Sequence, residues 1–127
     1  MTHPNYKEID VIIIDHHISE NKLPNIYSII NPNRFDENSK LKDLAAVGVT
    51  FLFIMGLRKN LRKNNYFNDK KNEPNLLDNL DLVALGTVCD VVNLQDYNRN
   101  FVIKGLEIIK KRTHKGCLLY TSDAADE

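Results

Sequence analysis

Three consecutive side chains near the start of the sequence have the chemistry of metal ligands. Asp15, His16 and His17 follow a short apolar run at residues 9–14, and carboxylate oxygen and imidazole nitrogen are ligands of Mn²⁺, Mg²⁺ and Zn²⁺. If extended geometry persists to the end of the run, His16 faces away from Asp15 and His17. One residue can then bind a metal while its neighbours orient it or contact a substrate. A solvated strand end is the competing interpretation, and the position at the carboxyl end of a buried strand favours function.

Asp90 is a second candidate because it lies in a nearly unbroken apolar stretch, residues 82–92. Burial of an unpaired carboxylate costs several kcal/mol, so an aspartate in such a stretch is normally paired, hydrogen-bonded, at a helix cap or bound to a metal. Residue type alone favours a cap or a turn. A metal site is the less favoured interpretation of this residue when it is taken by itself.

The elements that position these residues are strands followed by helices. Residues 9–14 have the β-branched, non-alternating pattern of a parallel strand buried on both faces, and residues 27–30 form a second strand between turn signals. Apolar positions spaced three and four apart predict three helices, at residues 41–64, 75–88 and 98–112. This order of elements predicts an α/β layout.

The first predicted helix has two candidate caps, two internal glycines and a basic end. Ser39 or Asp43 is expected to cap its start. Gly48 and Gly56 lie inside it, where glycine is unfavourable, and we interpret them as sites of close packing. The basic cluster at residues 58–63 is better explained by the favourable interaction of cations with the end of a helix dipole than by contact with DNA.

Length and composition limit the classes of protein that the sequence can encode. A chain of 127 residues is long enough for one domain with a core and too short for two. The equal numbers of basic and acidic residues, 17 of each, remove the simplest argument for nucleic-acid binding. No run is apolar enough to span a membrane, no secretory signal is visible, and the two widely separated cysteines form no disulfide framework. We therefore expect a cytoplasmic protein without a membrane segment.

Four segments, in order, resemble a known family. They are IDVIIIDHH at residues 9–17, INPNR at 30–34, DLAAVGVTF at 43–51 and LVALGTVCDVV at 82–92. Together they resemble the RecJ-type single-stranded-DNA exonucleases of the DHH phosphoesterase superfamily, and the resemblance extends over residues 9–112. The DHH triplet alone would indicate only the superfamily, whereas the other three segments point to the exonuclease branch.

The resemblance implies a partial DHH-type catalytic domain at residues 1–116, with a mainly parallel sheet flanked by helices and truncated at both ends. By the same resemblance His16 and Asp90 bind one metal ion, His17 lies nearer the scissile phosphate, and Asp15 orients or completes the site. The implied cofactor is Mn²⁺ or Mg²⁺ at a two-metal centre that hydrolyses phosphodiester bonds. The implied partner is single-stranded DNA, degraded from its 5′ end.

Some features depart from the family pattern. An Asp-x-Asp pair is expected upstream of the triplet, and neither Glu8 nor Asp10 has the right setting for it. A second domain with a glycine-rich motif is expected downstream. Residues 117–127, CLLYTSDAADE, resemble translated sequencing-adapter DNA and are expected to be a non-native tail.

These departures lead us to expect a fragment of a DNA repair and recombination exonuclease that is inactive alone, because upstream metal-binding aspartates are missing from it. Two alternatives stay open. One is another DHH phosphoesterase, acting on short oligonucleotides or cyclic dinucleotides. The other is a non-catalytic DHH-derived module that binds DNA or protein.

Overall fold

A computed structural model describes residues 9–111 of the chain, in which a small sheet is followed by three α-helices. The order of elements is β1 (Ile12–Ile14), β2 (Ser28–Ile30), α1 (Ala46–Lys63), a 3-10 turn (Leu76–Asn79), α2 (Leu80–Cys89) and α3 (Asp96–Ile109). The predicted α/β class is therefore confirmed. The tail predicted at residues 117–127 lies outside the described residues.

The two strands pair in parallel, as the sequence predicts. Ile12, Ile13 and Ile14 lie opposite Ser28, Ile29 and Ile30. The pairing continues past the end of β1, where the backbone amide of Asp15 donates to the Ile30 carbonyl at 3.0 Å. The expected burial of the first strand on both faces is wrong, because Ile12 is 47% exposed. The sheet has only two strands in the described part of the chain.

Helix α1 begins at Ala46, later than predicted, and neither candidate cap is used. The N-cap residue is Ala45, which makes no capping hydrogen bond through its side chain. The Ser39 hydroxyl instead accepts from the Leu41 amide at 3.1 Å, and Asp43 Oδ1 accepts from the Asn93 side-chain amide at 3.3 Å. Neither side chain bonds to an amide in the first turn of α1. The segment before Ala46 therefore stays irregular.

The two glycines of α1 differ in their surroundings. A Cβ added at Gly48 would lie 3.3 Å from Leu44 Cδ2, so the prediction of close packing holds there. A Cβ added at Gly56 would meet nothing within 4 Å, so the same prediction is wrong for Gly56.

The core joins the three helices at one apolar cluster. Phe51 of α1 meets Phe101 of α3 edge to face, with ring centroids 5.5 Å apart. The buried members of the cluster are Phe51, Leu76, Leu80 and Val83, and Val47, Phe101 and Ile108 pack against them. Helices α2 and α3 approach closely at Gly105, where an added Cβ would overlap the Leu80 carbonyl oxygen and the Ala84 side chain.

The basic end of α1 is paired within the protein. Arg62 and Lys63 lie in the last turn of the helix, and both Arg58 and Arg62 form ion pairs with Glu73. The hydrogen bond from Arg62, helped by the charges of both arginines, holds the pKa of the Glu73 carboxyl below its usual range. The cluster therefore has an internal partner in addition to the helix dipole.

We expect Glu73→Gln to destabilise the fold slightly at neutral pH and not in acid. A carboxyl whose pKa is lowered by folding stabilises the protein above its unfolded pKa, and this contribution is lost as the pH falls through its folded pKa. Urea unfolding of the wild type and of Glu73→Gln, at neutral pH and in acid, measures the difference in their free energy of unfolding. This difference stays small because the ion pair is exposed. An equal difference at neutral and acidic pH would contradict the ion pairing.

Candidate active site

The carboxylate of Asp15 shapes the turn that follows β1. Its Oδ1 accepts from the backbone amides of His16 and His17, at 2.8 and 3.3 Å, and lies 2.7 Å from Nδ1 of His17. The strand ends at Ile14 and the chain bends at His17, so the extended geometry does not continue through the triplet. Asp15 and His17 are thereby held together as one pair at the carboxyl end of the strand.

His16 reaches a different partner. Its Nε2 lies 3.2 Å from Oδ2 of Asp90, and the two side chains are 16% and 37% exposed. The rings of His16 and His17 are nevertheless only 4.5 Å apart between centroids, tilted by 52°. The expectation that His16 faces away from both neighbours is therefore wrong for His17, where the chain bends.

Asp90 lies at the end of α2 and is not buried as its apolar neighbours suggest. Its amide donates to the Gly86 carbonyl at 3.0 Å, and it occupies the C-cap position of the helix. Val88, in the last turn, is half exposed, so the apolar stretch has one face open here. The next residue, Val91, has a φ of 55°, which a β-branched residue rarely adopts. The chain therefore turns sharply just after the Asp90 carboxylate.

A cleft of about 320 Å³ opens beside the His16 and Asp90 pair. Its walls come from the start of α1 and the end of α2, which approach closely because Gly86 has no side chain. A Cβ on Gly86 would lie 2.8 Å from Val47 Cγ1. The lining residues are His16, Ala45, Ala46, Val47, Gly86, Cys89 and Asp90.

Two asparagines of the INPNR segment, to which the sequence assigned no role in the site, also contact its histidines. The buried Asn31 side chain donates to the His17 carbonyl at 2.8 Å, and its Oδ1 accepts from the Asn33 amide at 2.8 Å. Asn33 donates to the His16 carbonyl at 2.7 Å. The Asn-Pro-Asn sequence after β2 thus holds the backbone of both histidines, which the turn signal alone does not indicate.

The Asp15 and His17 side chains shift each other's protonation. Partial burial would raise the pKa of the Asp15 carboxyl, but the hydrogen bonds from the His17 ring and from two backbone amides outweigh it and lower that pKa. The hydrogen bond to Asp15 and its negative charge raise the pKa of the exposed His17, with a smaller contribution from the charge of Asp90. Near neutral pH, a larger share of His17 is protonated than in a free histidine.

Asp15→Asn is expected to lower the pKa of His17 toward the usual range of histidine, because the asparagine keeps the shape of the side chain without its charge. NMR titration of the His17 ring in the presence of a chelator measures it. Asp36→Asn is a matched control, since Asp36 pairs with Arg34 instead. An unchanged His17 pKa in Asp15→Asn would show that the carboxylate is not its partner in solution.

The donor set fits a metal ion only in part. An imidazole nitrogen and a carboxylate oxygen that lie 3.2 Å apart can both bind one ion. Among residues 9–111, no group of three or more His, Cys, Asp or Glu side chains is arranged to hold a metal. His16 and Asp90 therefore supply two ligands, and other ligands would complete the coordination.

The comparison with known proteins decides the family. The model of the DHH family, N-terminal domain, matches residues 2–87, which include both the Asp15 to His17 triplet and Gly86. The chain belongs to the DHH family. The relatives that it resembles include the single-stranded-DNA-specific exonuclease RecJ of Dickeya dadantii, 47% identical over 103 residues, and that of Escherichia coli, 46% identical over 103 residues. The RecJ of Bacillus subtilis is 35% identical over 108 residues.

These matches cover most of this DHH chain and a small part of its relatives. The alignments span 80% of the chain and 18% of the Dickeya and Escherichia proteins, and 85% of the chain and 12% of the Bacillus protein. The resemblance to RecJ-type members that the four sequence segments indicate is confirmed. No solved structure matches the chain at a significant level. In residues 9–111, no helix is both long and apolar enough to cross a membrane.

Proposed function

We propose that this chain forms one part of the catalytic site of a metal-dependent, 5′-to-3′ single-stranded-DNA exonuclease. The observation that carries the proposal is the approach of His16 Nε2 to Asp90 Oδ2 at 3.2 Å, at the edge of the cleft between the start of α1 and the end of α2. Two potential ligands from distant parts of the sequence meet at the carboxyl end of a parallel strand, where α/β sheets commonly bind ligands. The relatives named RecJ support the choice of substrate.

In this proposal His16 and Asp90 hold one Mn²⁺ or Mg²⁺ ion. When bound, such ions activate water and offset the charge that develops on the phosphoryl oxygens. Asp15 fixes the His17 ring through the contact at 2.7 Å. The exposed ring of His17, held in place in this way, donates a hydrogen bond to a phosphate oxygen of the DNA strand.

We further propose that the chain by itself does not hydrolyse DNA. The support is the size of the donor set among residues 9–111, where His16 and Asp90 are two ligands and the Asp15 carboxylate is already engaged with His17. A two-metal centre needs further carboxylates from elsewhere. We also propose that the protein is cytoplasmic, a location in which thiols such as that of Cys89 stay reduced.

A chimaera tests the function. The 103 residues of the Escherichia coli relative that match this chain are replaced by those of the chain, and the product is assayed with Mn²⁺ on 5′-phosphorylated single-stranded DNA. We expect the chimaera to degrade the DNA and the purified 127-residue chain to leave it intact. A well-folded but inactive chimaera would contradict the proposed function. Degradation by the chain alone that is lost in His16→Ala would contradict its proposed inactivity.

A further inference from the structure

Two asparagine side chains each bridge a loop of the site to the same short segment. Asn33 Nδ2 donates to the His16 carbonyl at 2.7 Å and to the Lys42 carbonyl at 2.9 Å. Asn98 Nδ2 donates to the Asp43 carbonyl at 2.6 Å and to the Asn93 carbonyl at 2.8 Å. In both cases one amide group uses both of its protons on two carbonyl oxygens.

The two bridges meet at adjacent residues. Lys42 and Asp43, which we call the connecting dipeptide, receive one hydrogen bond from each asparagine. On one side the connection leads through Asn33 to the backbone of His16 itself. On the other it leads through Asn98 to Asn93, in the loop that begins at Asp90.

The bridge made by Asn98 is reinforced by a further hydrogen bond, and its surroundings determine the orientation of the Asn98 side-chain amide. Asn93 also donates through its side chain to Asp43 Oδ1 at 3.3 Å, so the loop and the connecting dipeptide are joined twice. Asn98 is 2% exposed, and its Oδ1 has no hydrogen-bond partner in the described part of the chain. The reverse orientation of the amide would place Oδ1 against two carbonyl oxygens. The side chain is therefore held for its two donors, at the cost of an unsatisfied acceptor.

From this geometry we infer that Asn33 and Asn98 are positioning residues that set the separation of His16 and Asp90. The inference rests on the proposed function, because it concerns the two side chains that would share a metal ion. Neither asparagine contacts His16 Nε2 or Asp90 Oδ2. Asn33 joins the backbone carbonyl of His16 itself to the connecting dipeptide. Asn98 joins the carbonyl of Asn93, in the loop that follows Asp90, to the same dipeptide. Because His16 and Asp90 are far apart in the sequence, local backbone geometry does not fix the distance between them. Contacts with a third segment, the connecting dipeptide, can fix it.

The test uses Asn33→Leu and Asn98→Leu in the 127-residue chain, because leucine is close to asparagine in shape and has no donor or charge. Asn64→Leu is the matched control. The Asn64 amide also has two acceptors, both on Asn60 at 3.0 and 2.9 Å, but it lies at the far end of α1. Circular dichroism checks the helices of each variant.

Two measurements separate the inference from the function on which it rests. In the presence of a chelator, the ¹⁵N spectrum of the His16 ring reports whether Nε2 is paired with Asp90. Without the chelator, the Mn²⁺ concentration at which the amide signals near His16 and Asp90 lose half of their intensity reports metal affinity. We expect both variants to lose the pair and to need about 10–100-fold more Mn²⁺, the loss typical of residues that orient ligands. Asn64→Leu should change neither.

An intact His16 and Asp90 pair in both variants would overturn the inference. Loss of the fold in both variants, with Asn64→Leu folded, would also overturn it, since the amides would then hold the whole domain. If the wild-type chain shows the pair but no response to Mn²⁺, and both variants lose the pair, the positioning role stands and the proposed metal site fails.

Discussion

Gly105→Ala is expected to lower the free energy of unfolding by about 3 kcal/mol, the upper end of the usual cost of overpacking. The added methyl group would overlap the backbone oxygen of Leu80 and the side chain of Ala84. A backbone oxygen within a helix cannot move aside alone, so α2 and α3 must separate. Because Phe101 and Ile108 of α3 pack on the shared core, this separation also loosens the cluster around Phe51. Urea unfolding followed by circular dichroism measures the change.

Gly56→Ala is the matched control for that substitution. It makes the same chemical change inside a helix, at a position where the added Cβ meets nothing within 4 Å. Alanine is favoured over glycine in a helix by about 0.5–1 kcal/mol, so this variant should be more stable than the wild type. Equal effects of the two substitutions would contradict the close approach of α2 and α3 at Gly105.

His16→Ala and Asp90→Ala are each expected to reduce DNA degradation by the chimaera at least about a hundredfold. Loss of a residue that merely orients a ligand costs 10–100-fold in metal affinity or activity, and loss of the ligand itself should cost more. The initial rate of nucleotide release from 5′-phosphorylated single-stranded DNA at saturating Mn²⁺ measures the effect.

Asp69→Asn provides the control for those variants, since Asp69 is an exposed aspartate in the loop between α1 and the 3-10 turn. It should degrade DNA at the rate of the unmodified chimaera. Full activity of either His16→Ala or Asp90→Ala would remove that residue from the catalytic site.

Local patterns predicted the elements well where the deciding contacts are local. The β-branched run before Asp15 predicted a parallel strand, the turn signals around residues 27–30 predicted a second strand, and β1 and β2 pair in parallel. The start of α1 was predicted too early, because Ser39 and Asp43 look like caps in the sequence. Their side chains bond to Leu41 and Asn93 instead, and the second of these contacts crosses the fold.

In the candidate site, too, the features that depend on contacts between distant residues were not predictable from local sequence patterns. The spacing of the triplet could not predict that His16 and His17 lie with their rings 4.5 Å apart, since this depends on the turn that Asp15 makes with its own carboxylate. The family resemblance paired His16 with Asp90, and the structure brings the two side chains together. Whether they bind a metal stays a prediction. The role of Asn98 was not visible, because its acceptors are carbonyls of distant residues and any residue type can supply a carbonyl.

The claim that His16 and Asp90 hold the same ion can be tested by adding Mn²⁺ to the ¹⁵N-labelled 127-residue chain. A bound Mn²⁺ ion broadens the NMR signals of nearby amides even when its affinity is low. We expect amide signals around His16 and around Asp90 to broaden together, and both sets to sharpen again in either His16→Ala or Asp90→Ala. Persistent broadening around Asp90 in His16→Ala, or around His16 in Asp90→Ala, would show that the two residues do not share one ion.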